Sequence, residues 1–352
     1  MHTVTKAAQS APLLGFWYPA LRSRAVRPGR MQAQTLLGLP LVLCRDSQGR
    51  VAALRDVCPH RAMPFSFGHF DGTRLECGYH GWQFDLEGRC RYIPALVEGA
   101  GVQSEKIAVM TYPARDQDGY IWVYVPDTQG VPAPLPEVPT LPVLSEPYRM
   151  LHIATTLTCT LDNGIVGLMD PAHGPFVHSA WWWRSRRSVH EKAKAFAPSP
   201  WGFTMSPHAP SSNSRAYRLV GGAAETEITF RLPSVRVEQI RAGRHAVANL
   251  TALTPIDATT TEVNHCIFWT APWLSALKPA LRPYVRAFLR QDRDIMERQQ
   301  QGLRSRPVLS LIDDADAQAR WYYRLKEEYR RARAEERPFA NPVAPRILRW
   351  RS

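Results

Sequence analysis

No stretch of this 352-residue chain approaches the run of about 20 apolar residues that a membrane-spanning helix needs. The opening segment, MHTVTKAAQSAPLLGFWYPALRSR, has a short apolar stretch broken by proline and no small-residue cleavage site, so no secretory signal is read there. Six cysteines are too few for a disulfide scaffold in a chain of this length and point to a reducing compartment. These absences together set the expectation of a soluble, cytoplasmic protein. A glycine-rich phosphate cradle is missing, which argues against a nucleotide site. Internal repeats are missing too.

What is present argues for a folded, two-domain chain. Hydrophobic residues make up 45% and aromatic residues 10%, with 11 Trp, a composition a disordered chain would not have. At about 150 residues per domain the length implies two domains. Lys and Arg number 44 against 31 Asp and Glu, a formal net charge of +13. That excess permits acidic partners or an anionic substrate.

The first third carries short strand signals. Leu41–Leu43 and Val51–Leu54 flank the turn Asp46-Ser47-Gln48-Gly49, and Gly119–Pro126 is a β-branched and aromatic strand closed by proline. The Pro-rich stretch Val131–Pro139 can form neither a helix nor a central strand and reads as a linker. The expected domains are therefore residues 1–130 and 131–352. The second shows strand patterns at Met150–Leu157, Glu225–Leu232, Val235–Ile240, Ala246–Leu253 and Thr259–Trp269, then turns helical and basic after Pro279. Strands in a block with helices grouped beside them imply an α+β fold with an antiparallel sheet.

Chemistry is concentrated in two constellations. The first is Cys58-Pro59-His60-Arg61, followed after 16 residues from His60 by Cys77-Gly78-Tyr79-His80-Gly81-Trp82. Two thiolates and two imidazoles on two loops suit a tetrahedral zinc or a Rieske-type [2Fe-2S] cluster, with cysteines on one iron and histidines on the other. A zinc knuckle wants two to four residues between paired ligands, whereas Cys58 and His60 have one between them. In a Rieske centre the ligands of one loop go to different irons, so the short gap is natural. The second constellation is Asp170-x2-His173-x4-His178. Two neutral imidazoles plus one carboxylate make the facial triad of non-haem Fe(II). The bland reading of Asp170 is a cap on a turn beginning at Pro171.

The carboxylate ligand must come from elsewhere. Val285, Phe288, Leu289, Ile295 and Met296 form one apolar stripe of a helix over Pro283–Gly302, and Asp292 falls on that stripe while Asp294 points away. A carboxylate on a buried face is costly unless paired or metal-bound, so Asp292 is the expected third ligand.

Both cysteine–histidine loops, the histidine pair and the late Gln291-Asp292-x4-Glu297 resemble, in that order, the Rieske non-haem iron oxygenase family, oxygenase (alpha) component, and its homotrimeric single-subunit members in particular. The resemblance implies an N-terminal all-β Rieske domain with cluster ligands Cys58, His60, Cys77 and His80, then a helix-grip catalytic domain of antiparallel sheet plus helices. It implies mononuclear Fe(II) on His173, His178 and Asp292. It further implies that Asp170 connects this iron to a cluster histidine of a neighbouring subunit, His80 in preference to His60. Electrons would come from NAD(P)H through a separate flavin reductase, with or without a ferredoxin. Dioxygen would then hydroxylate, dihydroxylate or dealkylate a hydrophobic, foremost an aromatic, substrate. One departure is visible. Family members commonly carry Asn or Glu three or four residues before the aspartate; here those positions are Gly167 and Val166, and Asn163 lies seven before it, as if a helical turn were inserted.

Trp181-Trp182-Trp183 is read as packing or as a pocket wall. The basic tail from Arg320 to Arg351 is read as a solvated helix or a docking face for an acidic redox partner. Glu327, Glu328, Glu335 and Glu336 interrupt it, so nucleic-acid binding is not expected. Two rival functions are a Rieske-type electron carrier without oxygenase activity and a zinc-stabilised nucleic-acid-binding protein, the latter colourless.

Overall fold

The computed structural model describes residues 2–3, 11–139, 148–178, 187, 189–209 and 224–352. The chain divides into two compact units, one of Leu13–Thr140 and one of Leu141–Ser352 together with Met1–Pro12. The short strand β1 (His2–Thr3) belongs to the latter.

The first unit is built from β2 (Phe16–Arg22), β3 (Arg30–Leu36), β4 (Leu39–Arg45), β5 (Val51–Arg55), β6 (His69–Phe70), β7 (Arg74–Glu76), β8 (Gln83–Asp85), β9 (Cys90–Tyr92), β10 (Thr111–Tyr112), β11 (Ala114–Gln117) and β12 (Tyr120–Val125). They make three small antiparallel sheets in the orders β10-β5-β4-β3, β11-β12-β2 and β6-β7-β8-β9. Local chemistry sets the corners. Leu37 and Gly38 both take positive φ (54° and 75°) between β3 and β4, the two-residue hairpin whose twist matches its strands. Asp46 accepts the N–H groups of Gln48 (3.0 Å) and Arg50 (2.8 Å), closing the turn read from the sequence. Strand β12 is buried at all six positions, as its run of β-branched and aromatic residues requires. Two apolar clusters result. One, with Tyr18, Leu41, Leu43, Ile121 and Val123, lies between the first two sheets. The other, with Phe65, Leu75 and Phe84, includes Cys58 and Cys77.

The second unit comprises β13 (Arg149–Leu157), α1 (Leu161–Met169), α2 (Gly174–Val177), β14 (Glu191–Ser199), β15 (Gly202–His208), β16 (Ala224–Arg231), β17 (Val235–Ala242), β18 (His245–Pro255), β19 (Thr261–Trp269), α3 (Lys278–Leu303), β20 (Ser310–Leu311), α4 (Ala317–Ala334) and β21 (Arg346–Arg351). Strand β1 pairs with β20. An eight-stranded antiparallel sheet runs β13-β19-β18-β17-β16-β15-β14-β21. Helix α3 packs on β13, and α1 on β18, α3 and α4. The fold is α+β, with small antiparallel sheets first and one large antiparallel sheet with helices after.

Helix α1 is held at both ends and along one side. Thr160 caps it by accepting the Asn163 N–H (3.3 Å). A Cβ added at Gly167 would stand 2.9 Å from Met296 Cε, so the glycine sets how closely α1 and α3 approach. Asp162 on α1 is buried with Lys326 on α4, its carboxylate accepting from that ammonium and from the Tyr322 hydroxyl at 2.5 Å. Removing one member would strand a buried charge, which makes this pair a lock between α1 and α4.

The C-terminal segment differs from the solvated basic helix the sequence suggests. Helix α4 buries Trp321, Tyr322, Leu325 and Tyr329, and after it the chain returns as the strand β21 beside β14. In β21 the buried Leu348 and Trp350 alternate with exposed arginines, a period of two that suits an edge strand. Among the described residues no helix is long and apolar enough to cross a membrane.

Candidate metal centres

Each cysteine–histidine loop is a tight backbone turn. In the first, the Cys58 N–H donates to Met63 O (2.9 Å) and the Ala62 N–H to Cys58 O (2.9 Å); in the second, the Cys77 N–H donates to Trp82 O (2.9 Å) and the Gly81 N–H to Cys77 O (3.0 Å). Gly81 takes φ of +70°, and a Cβ there would meet Pro94 Cγ at 2.9 Å, so this turn needs glycine. The turns put the thiols inside and the imidazoles outside. Cys58 and Cys77 are 1% and 2% exposed, and His60 and His80 are both half-buried. Burial pushes the Cys58 thiol up to about 11, and the neighbouring Cys77 adds to that rise. The two imidazoles lie 4.5 Å apart, and His60 stacks on Trp82 at 4.6 Å and 7°.

This donor set fits a two-iron cluster better than one ion. His60 Nδ1 is buried with no hydrogen-bond partner, as expected of an atom made for a ligand. Among the described residues only His173, His178 and Asp292 bring three ligand atoms within 4.8 Å of one another. The four loop donors do not converge on a single point as zinc requires.

The second constellation does converge. The chain breaks between α1 and α2 at Asp170–His173, where Pro171 ends the helix, and His173 and His178 flank the one turn of α2. Asp292 reaches in from α3, whose buried Val285 and Leu289 set its register. Asp292 Oδ1 is 3.0 Å from His178 Nε2 and 3.8 Å from His173 Nε2, and the two Nε2 atoms are 3.2 Å apart. His178 Nδ1 lies 3.0 Å from Gln291 Oε1, where the ring N–H donates to the amide oxygen, and His178 Nε2 faces the other donors. A cation between them would resolve that crowding. Asp294 instead pairs with Arg293 at 3.3 Å on the other side of the helix.

Asp170 has two contacts. Its Oδ1 accepts the Ala172 N–H at 2.7 Å, the turn-capping bond, and its Oδ2 lies 3.6 Å from His173 Nδ1, which has no closer partner. Burial pulls the His173 imidazole down, but the Asp170 and Asp292 carboxylates outweigh it and hold it above its ordinary range. Helix α1 continues unbroken through Gly164–Gly167, and Asn163, 8% exposed, faces the cavity described next.

A cavity of about 740 Å³ opens beside the triad, between the helices and the large sheet. Leu253, Val263, Ile267, Val285 and Leu289 give it apolar walls. Its sheet floor carries Arg236 and Glu238 on β17, paired at 3.6 Å, and His265 on β19, whose Nδ1 is 2.8 Å from Thr251 Oγ1. Burial and the nearby Arg236 push His265 down to about 4, so it is a neutral imidazole.

Two neighbours of the triad carry roles the sequence reading did not assign. Phe288 stacks on His178 at 3.7 Å and 15°, and Gln291 fixes that ring's tautomer. Phe288 sits one helical turn before Asp292, so the same spacing that selects Asp292 also brings it to this face. Trp181-Trp182-Trp183 lies outside the described residues.

Residues 16–113 match the Rieske [2Fe-2S] domain, and residues 157–328 match the vanillate O-demethylase oxygenase C-terminal domain. The chain is 32% identical over 166 residues to the 3-chlorobenzoate-3,4-dioxygenase oxygenase subunit of Comamonas testosteroni, covering 46% of this chain and 37% of that protein. It is 31% identical over 175 residues to the 5,5'-dehydrodivanillate O-demethylase oxygenase subunit of Sphingobium sp., covering 47% and 39%. Matches to such curated relatives span between 25% and 43% of those proteins' own length. The solved structure of Pseudomonas putida CBB5 NdmA with caffeine shares the fold, with a TM-score of 0.74 at 20% identity over 95% of this chain and 96% of that one. With a Rieske domain in front and a vanillate O-demethylase-type oxygenase domain behind, the chain belongs to the Rieske oxygenase family.

Proposed function

We infer that the protein is the terminal oxygenase of a multicomponent system, oxidising a hydrophobic, aromatic substrate with dioxygen. The observation that carries this reading is the His173–His178–Asp292 cluster beside a largely apolar cavity, on the same chain as the Cys58–His60 and Cys77–His80 loops. When bound, a [2Fe-2S] cluster on Cys58, His60, Cys77 and His80 supplies electrons, and Fe(II) on His173, His178 and Asp292 supplies dioxygen activation. Gln291 and Asp170 orient the two ligand imidazoles by holding their Nδ1 sides. The aliphatic walls exclude water from the substrate, and the neutral His265 and the Arg236–Glu238 pair offer hydrogen bonds that orient it.

The electron source in this reading is NAD(P)H through a separate flavin reductase, with or without a ferredoxin. The missing phosphate cradle supports that division of labour. A homotrimer is the assembly that goes with a single-chain oxygenase of this type. All six cysteines are unpaired thiols, which supports a reducing, cytoplasmic compartment. The aromatic substrate class is supported by the two relatives, both named for aromatic substrates.

Metal content with isotope-labelled dioxygen tests the reading. The reconstituted protein should be red-brown, hold about three irons and about two acid-labile sulfides per chain, and place labelled oxygen in product. About two irons per chain with no oxygenated product would leave a Rieske electron carrier.

Asp170→Asn separates capping from a role at the iron. The variant should keep its colour and both metals yet lose about ten- to hundredfold of turnover. Asn offers one oxygen, so it can cap Ala172 or face His173 Nδ1–H, not both. If Asp170 serves only as a cap, Asn is as good a cap and turnover stays near normal. Single-turnover yield and the cluster reoxidation rate decide it.

A further inference from the structure

The floor of the cavity ends, on the side away from the triad, in a polar corner that the reaction itself does not require. Triad and corner sit over different strands. Helices α1 and α3 pack on β18 and β13, whereas Lys194, His208 and Thr226 belong to β14, β15 and β16. From β18 to β15 is three strand steps, about 14 Å at about 4.8 Å each.

Thr226 is 3% exposed, lines the cavity, and among the described residues its hydroxyl has no hydrogen-bond partner. A buried hydroxyl left unpaired is costly and calls for a partner that the described residues do not provide. His208, directly across the ladder from Thr226, donates its Nδ1–H to Ser206 O at 2.9 Å. Burial pulls that ring below its ordinary range and the charge of Lys194 adds to this, against the opposing Ser206 carbonyl and the Glu238 and Glu225 carboxylates. Lys194 is half-buried, and its ammonium donates to Ala209 O at 3.3 Å. Among the described residues it has no ion pair with an acid, in contrast to Arg236, which Glu238 neutralises. Among the described residues the corner therefore holds an ammonium without an ion-pair partner and one unsatisfied hydroxyl, both lining the same cavity.

We propose that Lys194 and Thr226 form a carboxylate-recognition subsite, and that the substrate is an elongated hydrophobic molecule whose reacting end lies at the triad and whose carboxylate lies in this corner. A carboxylate accepts hydrogen bonds from both the ammonium and the hydroxyl, satisfying Thr226 and neutralising Lys194 at once. The apolar stretch between the two ends fits the aliphatic cavity walls. This assignment deepens the oxygenase reading and rests on it for the identity of the reacting end.

Isothermal titration calorimetry on the cluster- and iron-loaded protein tests it without turnover. The probe is phenyloctanoate, long enough to span the floor, compared with phenyloctanamide. A charge-assisted bond in a half-buried wall is worth about a tenfold or greater difference in affinity. The acid should therefore bind at least about tenfold tighter than the amide. Lys194→Met should abolish that preference while leaving amide affinity unchanged, and Thr226→Val should reduce it severalfold. Acetate alone should bind far more weakly than phenyloctanoate, because the carboxylate belongs to the substrate. Equal binding of acid and amide, a preference that survives Lys194→Met, acetate binding as well as the long acid, or no binding of phenyloctanoate would each overturn the proposal. Unchanged visible and circular-dichroism spectra establish that the variants are folded. Iron and sulfide counts on the same samples report on the oxygenase reading separately.

Discussion

Cys77→Ser is expected to give a folded protein that lacks the Rieske absorption and all oxygenase turnover. Cys77 and Cys58 form the buried base of the two-loop site, 2% and 1% exposed, within the apolar cluster around Phe65, Leu75 and Phe84. A serine fits that space, since both loops are closed by backbone hydrogen bonds that do not use the thiol. It cannot replace a soft thiolate toward iron, so the chemistry fails while the fold survives. His60→Ala should do the same from the outer edge, where the Nδ1 atom has no protein partner to lose. If the four residues were only a packed pair of thiols under two edge-to-face imidazoles, neither change would alter colour. Visible absorption with acid-labile sulfide and circular dichroism makes the distinction. A normal visible spectrum in either variant overturns the cluster assignment.

How much of this could be read in the chain depends on how local each feature is. The two cysteine–histidine loops and Asp170-x2-His173-x4-His178 stand out in the sequence because their candidate donors lie close together along the backbone, where spacing constrains geometry. Asp292 is legible for a different reason. Helical periodicity places it on the face of Val285 and Leu289, and the structure brings it to 3.0 Å from His178. The edge of the large sheet was not legible. In β14, Lys192 and Lys194 fall on the cavity side in a period-two pattern, but lysines do not mark a buried face until the neighbouring strands are known. Strand β21 hides in the same way, because its arginines suggest a solvated helix and only pairing with β14 gives Leu348 and Trp350 an inner face. The substrate corner combines both difficulties, since Lys194 and Thr226 meet only through the order of strands in the sheet.

Asp292→Ala should leave the red-brown colour unchanged and abolish both the mononuclear iron and product formation. Its Oδ1 is the only carboxylate oxygen within 4 Å of both His173 Nε2 and His178 Nε2 among the described ion pairs. Two imidazoles without a carboxylate lack the charge and the third donor that hold Fe(II). Asp294→Ala is the control on the same helix. That carboxylate pairs with Arg293, is 47% exposed and does not face the cavity, and a surface pair of this kind is worth about 0–1 kcal/mol. Its loss should be nearly silent in iron content and turnover. If the His173–His178–Asp292 group were an ordinary hydrogen-bonded cluster, Asp292→Ala would lower stability and leave the iron count of the loaded protein unchanged. Iron per cluster, measured beside turnover in both variants, therefore assigns the third ligand. An essential Asp294 with a dispensable Asp292 would mean that α3 presents its other face to the two histidines.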